Sequence, residues 1–162
     1  MTDIEREVEQ RGLYFDELET GVRYIHRPGR TATEADNVVF TTLTMNAQPL
    51  HLAAAYAATE EFWRPLMNSM WTLSTMVGLS VAQITLGTLV AQLSLTEVTF
   101  PHPLFAGDTI VVDTVILDKR LSRSRPGQGI VTMTHTARNH EGMIVAIATR
   151  TALMLLSPEA QS

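Results

Sequence analysis

The chain has 162 residues, 45% of them hydrophobic and 18% charged, no cysteine, and a formal net charge of −5. That composition describes a single globular domain over residues 1–162 with enough apolar material for a core, and its acidic balance argues against a nucleic-acid partner, which meets a basic face. The lack of cysteine excludes disulfides, thiolate metal sites and a cysteine nucleophile.

The N-terminal run MTDIEREVEQRG is acidic and has no apolar core, so it does not read as a signal peptide. Residues 1–12 read as a frayed or short helical start. Val22–His26 reads as a short alternating strand and Arg27-Pro-Gly-Arg30 as a turn. Thr33 is a good N-cap for a helix over roughly 34–44, with carboxylates in its first turn. Ala35, Val38, Val39 and Leu43 are spaced for one buried face of that helix. TMNAQP reads as an irregular turn, and Leu50–Phe62 as a second helix rich in small residues, closed by Pro65.

Residues 69–80 carry no charge, the pattern of a central helix buried on most sides. The wider stretch Leu66–Leu95 is interrupted by Asn68, Gln83 and Gln92 among others, too polar for a membrane span. A soluble cytoplasmic protein with no membrane partner is the expectation. Strands follow over Leu86–Phe100, Thr109–Leu117, Gly129–Arg138 and Met143–Leu156. The segment Asn139-His-Glu-Gly142 is a hairpin turn. The class is α+β: helices first, then an antiparallel sheet that covers the apolar helix.

No pair among His26, His51, His102, His135 and His140 has the spacing of a metal site, and neither a metal nor another cofactor is expected. His26 and His140 read as surface residues and His135 as hydrogen-bonded within the sheet. His102, between two prolines, either lines a cleft or is structural. His51 differs, because it starts a helix directly after a polar turn; chemistry in a cleft and a satisfied core histidine fit that position equally well. Arg120, Arg123 and Arg125 most simply form a solvated loop, although a phosphate-bearing ligand would also suit them.

Three stretches carry a resemblance: TATEADNVVFTTLTMNAQPLHLAAAYAATEEFWRPLMNSM, FPHPLFAGDTIVV and SRPGQGIVTMTHTARNHEGMIVA. Together they resemble the MaoC-like, (R)-specific enoyl-CoA hydratase/dehydratase family from about residue 10 to residue 156. The resemblance implies a hot dog fold, an antiparallel sheet wrapped around one long apolar helix. It also implies a carbon–oxygen lyase of the EC 4.2.1 type that moves water across a 2-enoyl-CoA double bond, working as a homodimer or higher homo-oligomer with an acyl-CoA substrate.

In active relatives the signature reads Asp-x-Asn-Pro-Leu/Ile-His. Here it is Asn46-Ala47-Gln48-Pro49-Leu50-His51, so Asn46 stands in the aspartate's seat. The family's His-Gly-Met becomes Asn68-Ser69-Met70, which by position gives the Ser69 backbone N–H the oxyanion-hole role. The resemblance thus implies catalytic roles for His51, Asn46 and Ser69. Gln48, Asn68, Ser74 and Arg125 are the implied substrate-binding residues. Asn46 takes up no proton, so His51 acts more nearly alone or borrows a carboxylate, with Asp36 and Glu34 nearest in sequence. Helix capping is the simpler role for those two.

The run TLTMN also resembles a subgroup that hydrates mesaconyl-CoA and itaconyl-CoA. A substrate carboxylate would be repelled by an aspartate but accepted by Asn46, Gln48 and an arginine such as Arg125 or Arg64. Two other readings remain: a hot dog thioesterase, disfavoured because residues 70–79 carry no acid, and a non-catalytic subunit that binds acyl-CoA or partners an active one.

Overall fold

The computed structural model describes residues 6–161. Chain order runs β1 (Arg23–Thr31), α1 (Glu34–Leu43), α2 (Pro49–Leu52), α3 (Ala54–Ala57), α4 (Ser69–Ile84), β2 (Leu89–Thr99), β3 (Thr109–Leu121), β4 (Gln128–Arg138) and β5 (Ile144–Leu155). A short 3₁₀ turn, Glu159–Gln161, follows. The strands form one antiparallel sheet in the order β1-β3-β4-β5-β2. This is the expected α+β hot dog: the sheet curls around the 16-residue α4.

α4 forms where the sequence is uncharged, and it starts on a cap. The Asn68 side-chain oxygen accepts the Met70 N–H at 2.9 Å, meeting one of the helix's open donors. The buried residues Trp71, Thr72, Met76, Ser80 and Ile84 recur mainly every four positions and so share one face. That face lies on inward-pointing sheet residues, among them Val112, Ile116, Met133, Ala137 and Met154. On β5 the inward row Ala146, Ala148 and Ala152 is small, which lets the helix approach closely.

A polar belt divides this core. Thr114 on β3 lies between Val112 and Ile116, His135 on β4 between Met133 and Ala137, and Arg150 on β5 between Ala148 and Ala152, all on the helix-facing side. His26 Nδ1 is 2.8 Å from the Gln83 side-chain oxygen. Its Nε2 is 2.7 Å from Thr114 Oγ1, which in turn is 2.7 Å from His135 Nδ1. An amide oxygen only accepts, so the Nδ1–H of His26 donates to it and the chain is polarised from there. Thr114 donates to His26, His135 Nδ1–H donates to Thr114, and His135 Nε2 is left with a lone pair. Among the described residues that atom has no hydrogen-bond partner, and neither do Nε and Nη1 of Arg150.

Four expectations need correction. Residues 6–12 form no helix, and the rest of the expected helical start lies outside the described residues. Arg27-Pro-Gly-Arg30 is not a turn but the middle of β1, which runs through it with a register shift between His26 and Arg30. His26 is buried, not on the surface. The helix expected over Leu50–Phe62 breaks into α2 and α3 at the extended Ala53. There the Leu50 carbonyl accepts from Leu66 N–H at 3.2 Å. The His51 carbonyl accepts from Asn37 Nδ2 at 3.0 Å. Both carbonyls take tertiary donors at the point where the extended Ala53 interrupts the helix ladder.

Candidate active site

α1 positions the site through its polar side. Thr33 caps it with a reciprocal capping box: Thr33 Oγ1 accepts the Asp36 N–H, and the Asp36 carboxylate accepts the Thr33 N–H. The same carboxylate accepts from Arg30 at 2.6 Å. Burial alone would raise the Asp36 carboxyl, but the Thr33 hydrogen bonds and the Arg30 charge outweigh it and hold the carboxyl below the usual carboxylate range. Asp36 is therefore a structural acid.

The stripe Ala35, Val38, Val39 and Leu43, expected to be buried, faces outward; Leu43 is 78% exposed. The inward face carries Asn37 and Thr41 instead. Asn37 explains the reversal. Its Nδ2 donates to the carbonyls of His51 and Leu66, both at 3.0 Å, and its Oδ1 accepts the Asn68 N–H at 2.9 Å. One buried amide thus ties α1 to the start of α2 and to the start of α4. Sequence reasoning missed it; the signal was an asparagine within an otherwise amphipathic helix.

His51 lines a cavity of about 320 Å³ with Glu34, Asn37, Arg64 and Phe105. Its Nδ1 is 2.8 Å from the Leu66 carbonyl. A carbonyl only accepts, so Nδ1 carries the proton and Nε2 holds a free lone pair. The Arg64 guanidinium stacks on the Phe105 ring at 3.7 Å, held flat by a cation–π contact. Neither Arg64 nor Glu34 forms an ion pair among the described residues.

The remaining candidates are dispersed. Asn46 is half-buried, and its Oδ1 accepts the Gln48 N–H at 3.0 Å, closing an Asx turn. Neither it nor the exposed Gln48 lines this cavity. Ser69 lines a second cavity with Phe62, Leu66, Met67, His102 and Leu104. No residue lines both cavities, but their walls take neighbouring residues of the same two stretches: Arg64, Pro65, Phe105 and Ala106 in the first, Phe62, Leu66, Met67 and Leu104 in the second. The Ser69 N–H, first in α4, donates to nothing among the described residues. Asn68 is buried, its Nδ2 donating to Thr41 Oγ1 at 3.3 Å and its Oδ1 accepting the Met70 N–H, and it lines neither cavity. Ser74 is exposed on α4, outside both cavities.

Arg125 is exposed in the β3–β4 loop. The 13 residues of β3 separate that loop from the Phe105–Ala106 wall, about 40 Å at strand rise. It does not join His51 within one chain. Among the described residues no helix is long and apolar enough to cross a membrane, and no three His, Asp or Glu side chains converge as metal ligands.

Comparison with known proteins places this geometry. The MaoC-like domain family matches residues 17–139. Mesaconyl-CoA hydratase of Haloarcula marismortui is 26% identical over 134 residues, 82% of this chain but 37% of that protein; the chain thus spans well under half of that curated relative. The monoamine oxidase regulatory protein of Archaeoglobus fulgius superposes with a TM-score of 0.81 at 27% identity, covering 93% of this chain and 100% of that one. The MaoC-like dehydratase of Rhodospirillum rubrum does so at 0.79 and 25% identity, covering 91% and 99%.

Proposed function

Starting from a chain that belongs to the MaoC-like domain family, we propose that it hydrates or dehydrates 2-enoyl-CoA thioesters, with His51 as the acid/base. The observation that carries this is the His51 ring itself. Its Nδ1–H is held by the Leu66 carbonyl, which leaves Nε2 as the ring's acceptor on a residue that lines a cavity. A general base needs that tautomer and that freedom.

The substrate lies across the two cavities. Its thioester oxygen becomes an enolate as water adds to C3, and the unspent Ser69 N–H stabilises that charge as an oxyanion-hole donor. Asn46, with Oδ1 committed to Gln48, has its Nδ2 left to donate, and Gln48 stands beside it.

The preferred substrate is a short, branched dicarboxylic enoyl-CoA. Arg64, flat on Phe105, is a fitting receptor for the second carboxylate. An aspartate at position 46, as the family signature has it, would add a negative charge that a dicarboxylic substrate opposes, and Asn46 removes it. The name of the Haloarcula relative agrees with this reading.

A second copy completes the protein. Both edges of the sheet are open, but β1 carries Arg23, Arg27, Pro28 and Arg30, features that discourage pairing. β2 instead exposes Leu89, Val90 and Leu93, and is the edge that a second copy would extend.

The test incubates the purified protein with crotonyl-CoA, mesaconyl-CoA and itaconyl-CoA, following loss of enoyl absorbance. Turnover that disappears in His51→Ala is the expected result. Tight acyl-CoA binding without turnover of any of the three would instead establish a non-catalytic subunit; thioester cleavage, read as free thiol, would establish a thioesterase.

A further inference from the structure

We infer that Glu34 supplies the carboxylate that Asn46 lacks, accepting a hydrogen bond from the water that attacks the enoyl double bond. This rests on the hydratase reading above and assigns it a second catalytic residue.

Hydration by a single imidazole leaves the water held at one O–H only. A second acceptor fixes the direction of its lone pair toward C3. The seat where the family signature carries an aspartate holds Asn46, an amide that carries no charge and takes up no proton, its Oδ1 already accepting the Gln48 N–H. The two nearby acids on α1 are not equivalent. Asp36 is consumed by Thr33 and Arg30. Glu34, two residues earlier at the first position of α1, is the one carboxylate lining the His51 cavity. It has no hydrogen-bond or ion-pair partner among the described residues.

The α1 N-terminus offsets part of its charge, and Arg64 in the same cavity offsets more. The cavity therefore holds one carboxylate and one guanidinium. Aspartate at 46, as in the family signature, would add a second carboxylate, which a dicarboxylic substrate would oppose. A single acid placed on α1 reconciles water activation with a charged substrate.

The step balances without a co-reactant. Water donates one O–H to His51 Nε2 and the other to the Glu34 carboxylate. As its oxygen bonds to C3, the first proton passes to Nε2 and the C2–C3 π pair moves into the enolate. The second O–H remains on the product hydroxyl. The His51 imidazolium then gives its proton to C2, which restores the starting protonation state.

The experiment measures kcat and KM for the best of the three enoyl-CoA substrates, in the wild type, Glu34→Gln, Glu34→Asp and Glu34→Gln/Asn46→Asp. Glu34→Gln is expected to lower kcat about a hundredfold at little change in KM, and Asn46→Asp to restore roughly tenfold of that loss. Glu34→Asp, which keeps a carboxylate, is expected to retain more of kcat than Glu34→Gln. A Glu34→Gln kcat within about threefold of wild type, or a loss that neither Glu34→Asp nor the double variant relieves, overturns the role. Wild-type inactivity on all three substrates removes the reaction itself, an outcome read before any variant is compared.

Discussion

Asn37 holds His51 by its backbone while Leu66 holds it by its ring, and the same Asn37 amide also grips the Leu66 carbonyl. The distances are 3.0 Å from Nδ2 to each carbonyl and 2.8 Å from His51 Nδ1 to the Leu66 oxygen. The proposed base and the group that fixes its tautomer are thus positioned by one buried side chain. Asn37→Asp keeps the shape but turns a donor into an acceptor facing two carbonyl oxygens. It is expected to destabilise the fold by on the order of 3 kcal/mol. It should also lower kcat through loss of the His51 orientation. Urea denaturation and steady-state kinetics check the two effects, and an unchanged urea midpoint would remove Asn37 from its positioning role.

Asn46→Asp tests the charge argument directly. Restoring the acid is expected to raise crotonyl-CoA turnover and to raise KM for the dicarboxylic substrates, since it adds a negative charge that repels the substrate carboxylate. Arg64→Leu should raise KM for the dicarboxylic substrates about 10–100-fold, the value of a charge-assisted hydrogen bond of roughly 1.5–3 kcal/mol, and leave crotonyl-CoA almost unaffected. Equal effects on both substrate types would assign Arg64 to the coenzyme rather than to the acyl group.

Much of this architecture is legible in the residues, for identifiable reasons. The uncharged run 69–80 marks α4, although within one chain the helix is buried on one face only, with Met70, Ser74 and Gly78 exposed on the other. Alternation and turn chemistry mark β2 to β5, and Thr33 marks the start of α1. What was not legible depends on long-range hydrogen bonds. The outward turn of Val39 and Leu43 follows from Asn37, whose partners lie 14 to 31 residues away. The break at Ala53 coincides with two carbonyls claimed by Asn37 and Leu66. His26 is buried because Gln83, 57 residues on, meets its Nδ1. At the candidate site, the motif pointed to His51, and motif position alone does not separate Glu34 from Asp36; the capping box and Arg30 engage Asp36 and leave Glu34 on the cavity wall.

Gly129 is a packing requirement of the sheet. A Cβ there would meet Phe15 Cδ2 at 2.2 Å, and Phe15 is itself buried in the cluster with Ile116, Met133 and Met154. Gly129→Ala is expected to cost about 1–3 kcal/mol as Phe15 is forced from its seat. Phe15→Leu in the Gly129→Ala background should recover part of that loss. A chemical denaturation series over the single and double variants measures the coupling.

The polar belt makes stability depend on pH. Burial, then the Arg150 charge, then His26 push the His135 ring down to about 3 from its ordinary 6.5; burial also lowers His26, against the raising effects of Gln83 and Asp113. The folded value lies below the unfolded one, so the stabilisation is fully present above about pH 6.5. It is lost as pH falls toward 3, where the unfolded chain binds a proton that the folded chain refuses. The slope from one such group is about 1.4 kcal/mol per pH unit. Between pH 6.5 and 5 the wild type should therefore lose roughly 2 kcal/mol more than His135→Gln, which does not titrate. Parallel stability curves for the two proteins would show that His135 is protonated in the fold.

Arg150 carries the reverse expectation, that losing a charge helps. It is 2% exposed, its Nε and Nη1 have no partner among the described residues, and burial lowers its pKa with no carboxylate acting against that. A buried guanidinium without a counter-charge bears a desolvation penalty that nothing nearby repays, and exchanging such a charge for an apolar side chain of similar length is commonly neutral or stabilising by about 1–4 kcal/mol. Arg150→Met fits between Ala148 and Ala152, opposite Met133, and is expected to hold or raise the denaturation midpoint. It should also shrink the acid-side loss described for His135, because the Arg150 charge is the second cause of that ring's lowered value. Both effects come from one set of denaturation curves at pH 7 and pH 5. A drop in stability at pH 7 together with an unchanged acid slope would mean that, in the assembled protein, a counter-charge from a second copy reaches this guanidinium.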